Sequence, residues 1–406
     1  KKNSRIILSQ AFVTYLVRYF VILKKLLITC TSIMQMILVR ISYYICRFFN
    51  IKKQDGWVVV AVETASMLKN ISSALPNSVS VNFAPNRFYD FNYNYEVYPK
   101  KGLLKLITLV YSPILFGYLL SKYDKFMYLG AIGFVSPYTD GRQQEFKFLK
   151  SINKQLVCYF LGSEIRSFKL LNQFSQDRSL DVLTTYQAIS HVGIDAPKNE
   201  YKRKQLGQIA DKYSDVIFNP STDQMAYIQR KTFPCIYFLA DDLFEPSLNK
   251  FDDLSEVIVL HGPSSPIIKG TPIVRAAIKK LQMEGYKFKY IELINVPHEQ
   301  MLKTLCSAHI VLNEFYAFVP GVFGLEAMAS ACALLTSADE NIESTLDEGA
   351  NNAWKVTPYW SVYDHLKLFL DNPDMIKPQA LAGHNWAKKH CTYAAGAKKM
   401  NDIIND

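Results

Sequence analysis

The sequence predicts an α/β protein built from two nucleotide-binding-type domains. Three observations carry that expectation. The chain has 406 residues, which suits two domains that each bury a core. Short apolar runs alternate with helix-like stretches along most of its length, the pattern of strands joined by crossover helices. Residues 309–337 compress the whole unit: HIVLN reads as a buried strand, Pro320 and Gly321 sit in a loop, LEAMASA after Gly324 opens a helix, and CALLTS is the next strand. Glu326 is expected in the first turn of that helix, where backbone N–H groups lack partners and a carboxylate is favoured. A carboxylate there can hold a ribose diol while neighbouring N–H groups hold phosphate. It is equally an ordinary first-turn residue.

Composition narrows the field. Hydrophobic residues make up 49% of the chain and charged residues 20%, which excludes a disordered protein. The seven cysteines, at 30, 46, 158, 235, 306, 332 and 391, form no CxxC pair. That argues against a disulfide framework or a zinc site and for a reducing compartment. The net charge of +10 is local: positions 1, 2, 5, 18, 24, 25, 40, 47, 52 and 53 are Lys or Arg, and residues 1–53 contain no acid. The remainder is balanced. Nucleic-acid binding would put the basic excess on the folded body, so no nucleic-acid partner is expected. Gly130 and Gly133 do not make GxGxxG and no P-loop occurs, so ATP and dinucleotide fingerprints are missing.

Taken in order, residues 6–50 form apolar runs broken by Arg18, Lys24, Lys25 and Arg40, none of them long enough alone to span a bilayer. They predict one or two amphipathic helices against an anionic membrane surface. Packing on the protein itself is the bland alternative. Residues 57–64 are a first buried strand and 66–75 a helix. Residues 90–98 are aromatic and loop-like. Residues 100–122 are a basic, apolar helix interrupted at Pro113. Residues 125–135 read as strand and glycine turn, and 155–166 as a strand ending in Gly-Ser-Glu-Ile-Arg. Residues 214–228 predict strand, loop and helix, 235–246 a strand and an Asp-bearing turn, and 247–256 a polar linker. A second domain opens with a strand ending at His261–Gly262, followed by a Pro/Ser loop, Lys269–Gly270 and a helix. Residues 287–315 are strand, loop, helix, strand. There His298 is expected to cap its helix. Residues 364–406 hold two or three helices.

Three motifs in this order resemble retaining GT-B glycosyltransferases of the family 4 type, the makers of bacterial surface polysaccharides and glycolipids. They are Gly162–Arg166, the loop Gly262 to Lys269–Gly270, and Gly321 to Glu-Ala-Met-Ala. The resemblance spans about residues 57–400 and implies two Rossmann-like domains facing a central cleft, preceded by the N-terminal amphipathic helical segment. The implied boundaries are 1–53 for the membrane-associating segment, 54–246 and 256–385 for the two domains, and 386–406 for a helix crossing back. The resemblance assigns donor binding to Gly262, Ser264, Ser265, Lys269, Val296, Gly321, Val322 and Glu326. It assigns catalytic roles to Lys269, Glu164, Arg166 and Glu314. Glu326 would bind the ribose and Lys269 the diphosphate.

Departures from the family are equally legible. Leu161 stands where a cleft histidine is usual, Pro263 where an arginine is expected, and Phe318 where the first of two paired glutamates would fall. Glu314 is the nearby substitute. The implied activity is nucleotide-sugar-dependent hexosyl transfer to a glycan or lipid-linked acceptor, peripherally on the cytoplasmic face of the cell membrane. The donor is of UDP or GDP type. No Asp-x-Asp occurs, and neither cofactor nor metal is expected. The aromatic stretch 82–98 is the acceptor-side candidate. Two alternatives stay open: a non-catalytic nucleotide-sugar-binding subunit of another transferase, and an inverting transferase or epimerase, which would need a base such as His191.

Overall fold

The computed structural model describes residues 2–86, 88, 89, 91–98, 104–135 and 140–406; the side chains of 2–18, 20, 21, 25 and 104–106 lie outside that description. The first strands are β1 (Trp57–Ala61), β2 (Val79–Asn82), β3 (Tyr95–Glu96), β4 (Lys125–Leu129), β5 (Gln155–Tyr159) and β6 (Val216–Phe218). They form one parallel sheet in the order β3-β2-β1-β4-β5-β6. The second sheet, also parallel, joins β7 (Ile258–His261), β8 (Lys289–Glu292), β9 (Ile310–Leu312), β10 (Ala333–Thr336) and β11 (Lys355–Val356) in the order β11-β10-β9-β7-β8. The expected α/β architecture of two Rossmann-like sheets is therefore present. The central strands are continuous apolar runs because helices cover both faces of a parallel sheet; every position of β1 and β10 is buried.

The helices are α1 (Lys2–Phe48), α2 (Met67–Ala74), α3 (Leu104–Lys122), α4 (Gln143–Ser151), α5 (Phe168–Arg178), α6 (Leu183–Ser190), α7 (Pro197–Tyr213), α8 (Thr271–Met283), α9 (His298–Ser307), α10 (Gly321–Ala329), α11 (Ala350–Ala353), α12 (Val362–Asp371), α13 (Ile376–Cys391) and α14 (Tyr393–Asn405). Both sheets reverse direction at an internal switch point, between β1 and β4 and between β7 and β9. The loops at the carboxyl ends of these strands are where such sheets hold ligands.

The N-terminal segment is a single helix of 47 residues rather than two shorter ones, about 70 Å long at 1.5 Å per residue. The basic residues that break its apolar runs do not break the helix, because Lys and Arg are good helix formers. By length and composition Ile22–Phe48 is also long and apolar enough to cross a membrane, despite the charges. Met36, Val39 and Tyr43 are buried against the first domain, while Ile22, Leu26, Ile33, Ile37, Ile41 and Phe48 are exposed. The expected amphipathic arrangement of residues 2–18 lies outside the described side chains.

Helix α3 is not interrupted at Pro113; it runs straight through. A proline lacks the N–H that would bond the carbonyl four residues back. That carbonyl, Leu109 O, instead accepts from Gln35 Nε2 of α1 at 3.0 Å. Ser42 Oγ of α1 likewise donates to Ile114 O at 2.8 Å. At Gly117 a Cβ would come within 2.5 Å of Val39 O, so the glycine sets how closely the two helices pack. One face of α3 is buried, but Ile107, Val110, Tyr111 and Ile114 form an exposed stripe on the other. Positions 100–103 of the expected helix lie outside the described residues.

Several expected elements differ. Residues 221–228 contain no helix. Instead the backbone N–H groups of Ser221, Thr222 and Asp223 all donate to the buried carboxylate of Glu343 from the second domain, at 3.0, 2.7 and 2.8 Å. A carboxylate satisfied by three N–H groups fixes the loop more tightly than local helix propensity does. Residues 235–246 make only an isolated bridge, Leu239 to Thr392, and a short 3-10 turn, Asp241–Phe244. The polar linker is anchored, because Lys250 Nζ donates to Ala308 O and Ser330 O at 2.8 Å. The chain returns to the first domain through α14, which begins after the Thr392 cap rather than at Trp386. Tyr393 Oη donates to Asn70 Oδ1 at 3.1 Å, and Met400 packs into the first-domain core.

Candidate functional site

Loops at the carboxyl ends of β1, β5, β7 and β9 line two adjoining cavities between the sheets. The first, about 380 Å³, is lined by Glu63, Asn86, Tyr89, Gly262, Ser264, Lys269, Val296, His298, Val322 and Glu326 among others. The second, about 330 Å³, is lined by Arg166, Asp223, Ser265, Lys269, Glu314, Gly321 and Val322 among others. Thr64, Ala65, Ser264, Lys269 and Val322 face both. Ala65 and Ser66, in the loop after β1, both have positive φ, at 51° and 61°. Strain of that kind in non-glycine residues clusters at functional loops.

Glu326 lies on α10 beyond its first turn, not within it, because the helix starts at Gly321 rather than after Gly324. The free N–H groups at the start of α10 therefore belong to Gly321, Val322 and Phe323. Gly321 has φ +63°, and a Cβ there would sit 3.0 Å from Glu314 Oε1. Glycine is what lets this loop close on the carboxylate. His298 does not cap α9, whose cap position is Pro297. Its Nε2 lies 2.7 Å from Glu326 Oε1 instead. Burial pulls the His298 pKa down, but the hydrogen bond and charge of Glu326 outweigh it and the value ends raised. From the first domain, the Tyr89 ring lies 5.0 Å from the imidazole, centroid to centroid. Burial first, then the Glu326 charge, pushes the Tyr89 hydroxyl up to about 12, so the phenol stays neutral.

Lys269 and Glu314 form an ion pair. Burial raises the Glu314 pKa and the Lys269 charge opposes it. Arg166 does not reach across the cleft. Its Nη2 donates to Asp223 Oδ2 at 2.6 Å and its Nε to Asp223 O at 2.7 Å, while Asp223 Oδ1 accepts from Phe318 N at 2.8 Å. Glu164 lines neither cavity; its Oε1 accepts from Leu161 N at 2.6 Å. His191 is exposed at the end of α6.

The sequence reading therefore brings together Gly262, Ser264, Lys269, Val296, Val322 and Glu326 on the first cavity, with Ser265, Arg166, Glu314 and Gly321 on the second. It gives no site role to Glu63, His298 or Asp223, and reaches Asn86 and Tyr89 only through the 82–98 stretch, which it assigned to the acceptor side. Glu63 lies two residues past the end of β1, so a carboxylate beyond the carboxyl end of a parallel strand was a readable signal. Its side chain accepts from Leu68 N at 3.2 Å and Lys69 N at 3.1 Å, holding the start of α2. Nothing local signalled that His298 would pair with Glu326. The aromatic stretch assigned to the acceptor side lines the first cavity through Asn86, Phe88 and Tyr89, with Arg87 and Asp90 outside the described residues. Among the described residues, no group of three or more His, Cys, Asp or Glu is placed to hold a metal ion.

No protein-family model matches the chain, and no curated protein matches its sequence. Solved structures do match. The sucrose-phosphate synthase of Thermosynechococcus elongatus superposes with a TM-score of 0.54 at 14% identity, covering 87% of this chain and 98% of the other. Anabaena HepE in complex with UDP-glucose superposes with a TM-score of 0.54 at 12% identity, covering 86% and 99%. That likeness establishes the two-domain GT-B fold.

Proposed function

We propose that this protein is a retaining glycosyltransferase that moves a hexosyl group from a UDP- or GDP-sugar to a glycan or lipid-linked acceptor, without a metal ion. The observation that carries the reading is the convergence of Glu326, Lys269, the turn at Val296 and the start of α10 on one cavity. In this reading the nucleobase lies against the backbone at Val296, and Glu326, steadied by His298, takes the ribose diol. The diphosphate gains negative charge as the glycosidic bond breaks. Lys269, the N–H groups of Gly321 and Val322, and the hydroxyls of Ser264 and Ser265 are positioned to stabilise it. HepE, of the same fold, holds UDP-glucose.

The membrane belongs to the same proposal. Residues 1–53 carry basic side chains and no acid, and the exposed apolar residues of α1 and the stripe on α3 give those charges an apolar neighbour. That composition suits the inner, anionic face of the cell membrane.

Calorimetric titration of UDP and of GDP into the wild type and into Glu326→Ala tests the donor site. One nucleotide is expected to bind, with a loss of about 1.5–3 kcal/mol in the variant. Unaltered affinity in the variant sinks the assignment. A second reading, a binding subunit without turnover, is favoured by one observation: Lys269 is already paired with Glu314 while Pro263 stands where the family has its arginine. Slow hydrolysis of the bound nucleotide sugar supports the enzyme; binding with no hydrolysis supports the subunit.

A further inference from the structure

The loop between β9 and α10 leads into the helix start offered above to the diphosphate, and the first domain reaches it. Tyr186 of α6 stacks on Tyr316 with ring centroids 3.8 Å apart, and Phe174 of α5 meets Phe318 edge to face at 5.8 Å. Two polar pins come from the second domain: Ser337 Oγ donates to Ala317 O at 2.6 Å, and Asn313 Nδ2 donates to Pro320 O at 2.7 Å. A third comes from the first domain, where Asp223 Oδ1 accepts from Phe318 N at 2.8 Å. Gly321, the first residue of α10, is three positions further on.

Asp223 is held in turn by the second domain. Its N–H and that of Thr222 donate to Glu343 Oε2, and Ser221 donates to Glu343 Oε1 through its N–H and, at 2.8 Å, through its hydroxyl. Beside them Thr222 Oγ1 donates to Ile342 O at 2.9 Å. Three successive N–H groups turned towards one point make an anion-binding nest. Here a fully buried carboxylate of the other domain fills it. Within its own domain Glu343 meets the N–H and hydroxyl of Thr345, both on Oε1. Among the described residues, Oε2 takes its donors from the first domain alone. A buried carboxylate oxygen left without a donor is costly, so the two domains are held together at this point.

These contacts close a ring. Glu343 fixes residues 221–223, Asp223 fixes Phe318, and the β9–α10 loop returns through Ser337 to the end of β10, from which the Glu343 loop departs. We propose that Glu343 is a positioning residue: it latches the first domain onto the β9–α10 loop and thereby sets the N–H groups of Gly321 and Val322 for a diphosphate. The ligand in that statement rests on the donor-site reading; the latch does not.

Hydrogen–deuterium exchange of the full chain, with no nucleotide added, tests the latch in the wild type and in Glu343→Gln. The amide replaces one acceptor oxygen by a donor that faces the N–H groups of the nest. Exchange at 221–223 and at 316–322 is expected to quicken together, by at least about tenfold at Phe318, while β7 and β9 keep their protection. Faster exchange at 221–223 with 316–322 unchanged overturns the proposal, and so does an equal loss in β7 and β9, which marks a general structural role. If Glu343→Gln does not fold, Ser221→Ala/Thr222→Val removes only the two hydroxyl donors and is judged in the same way, with about a threefold change expected at Phe318.

Calorimetry reads the consequence for the ligand. UDP and UMP, and GDP and GMP, are titrated into the wild type and the variant. For the nucleotide that binds, the variant is expected to lose at least about fivefold more affinity for the diphosphate than for the monophosphate, because the terminal phosphate is the one the start of α10 meets. An equal loss for both overturns the positioning role. If no nucleotide binds the wild type, the donor-site reading fails, and the exchange measurement alone decides the latch.

Discussion

The two cavities of the cleft bury their carboxylates to the same depth but neutralise them differently. Glu326 on the first cavity is 4% exposed, and Glu314 and Asp223 on the second are each 3% exposed. Glu326 faces a histidine, whose charge changes near neutral pH. Glu314 and Asp223 face a lysine and an arginine, which stay charged throughout that range. Equal burial therefore produces one wall whose charge follows pH and another whose charge balance is fixed. Burial sets the cost of a charge; the partner decides whether the cost is met permanently or conditionally.

The largest way to break the fixed wall is Arg166→Met. It leaves Asp223 buried without its cation, and urea unfolding should show a loss of about 3–5 kcal/mol. A loss below about 1 kcal/mol would mean the pair contributes little more than an exposed one. Lys269→Met is expected to cost less. Glu314, with its pKa already raised by burial, takes up a proton once the lysine is gone.

A second histidine, next to Gly262 of the first cavity's wall, has the opposite sense. His261 closes β7, with Nδ1 2.7 Å from Leu312 O and Nε2 2.9 Å from Thr271 Oγ1. Burial lowers its pKa from 6.5 to about 4. Between those values the unfolded chain binds the proton and the folded chain does not. The contribution is therefore present above the unfolded value of 6.5 and is lost as pH falls towards about 4. The shift corresponds to about 3 kcal/mol. A pH series of denaturation midpoints should show this acid-side slope in the wild type and a shallower one in His261→Gln; parallel slopes would contradict it.

His298 gives the smallest effect and sharpens the contrast. Its folded pKa is raised, so its contribution is complete below the ordinary value of 6.5 and disappears as pH rises through the elevated one. His298→Ala should weaken nucleotide binding by about 1 kcal/mol at mildly acid pH, and by less on the alkaline side. A deficit that stays constant with pH would make the histidine a packing residue only.

Much of this site was legible in the chain. Apolar runs ending in glycine or a charged residue located the strand ends, and parallel sheets place ligands there. That logic brought Gly262, Lys269, Val296 and Glu326 to one cavity. It failed where a long-range partner takes over a residue with a readable local role. Arg166 has the right place for a cleft cation, but Asp223 occupies two of its nitrogens. Glu164 turns back onto the backbone at Leu161. His298 looks like a helix cap and serves instead as the partner of Glu326.

The N-terminal helices divide in the same way. The sequence alone determined that residues 1–53 are basic, apolar and free of acid, and that most of residues 6–50 are helical, because composition and propensity are local properties. It also determined the α/β class, since period and glycine punctuation are written along the chain. Only the tertiary structure decided that α3 passes through Pro113 unbroken, because the group replacing the lost N–H comes from Gln35 on another helix. Only it decided which carboxylate meets which cation in the cleft. Hydrogen bonds and ion pairs are settled by distances of about 3 Å between residues far apart in sequence, and no local pattern encodes those distances.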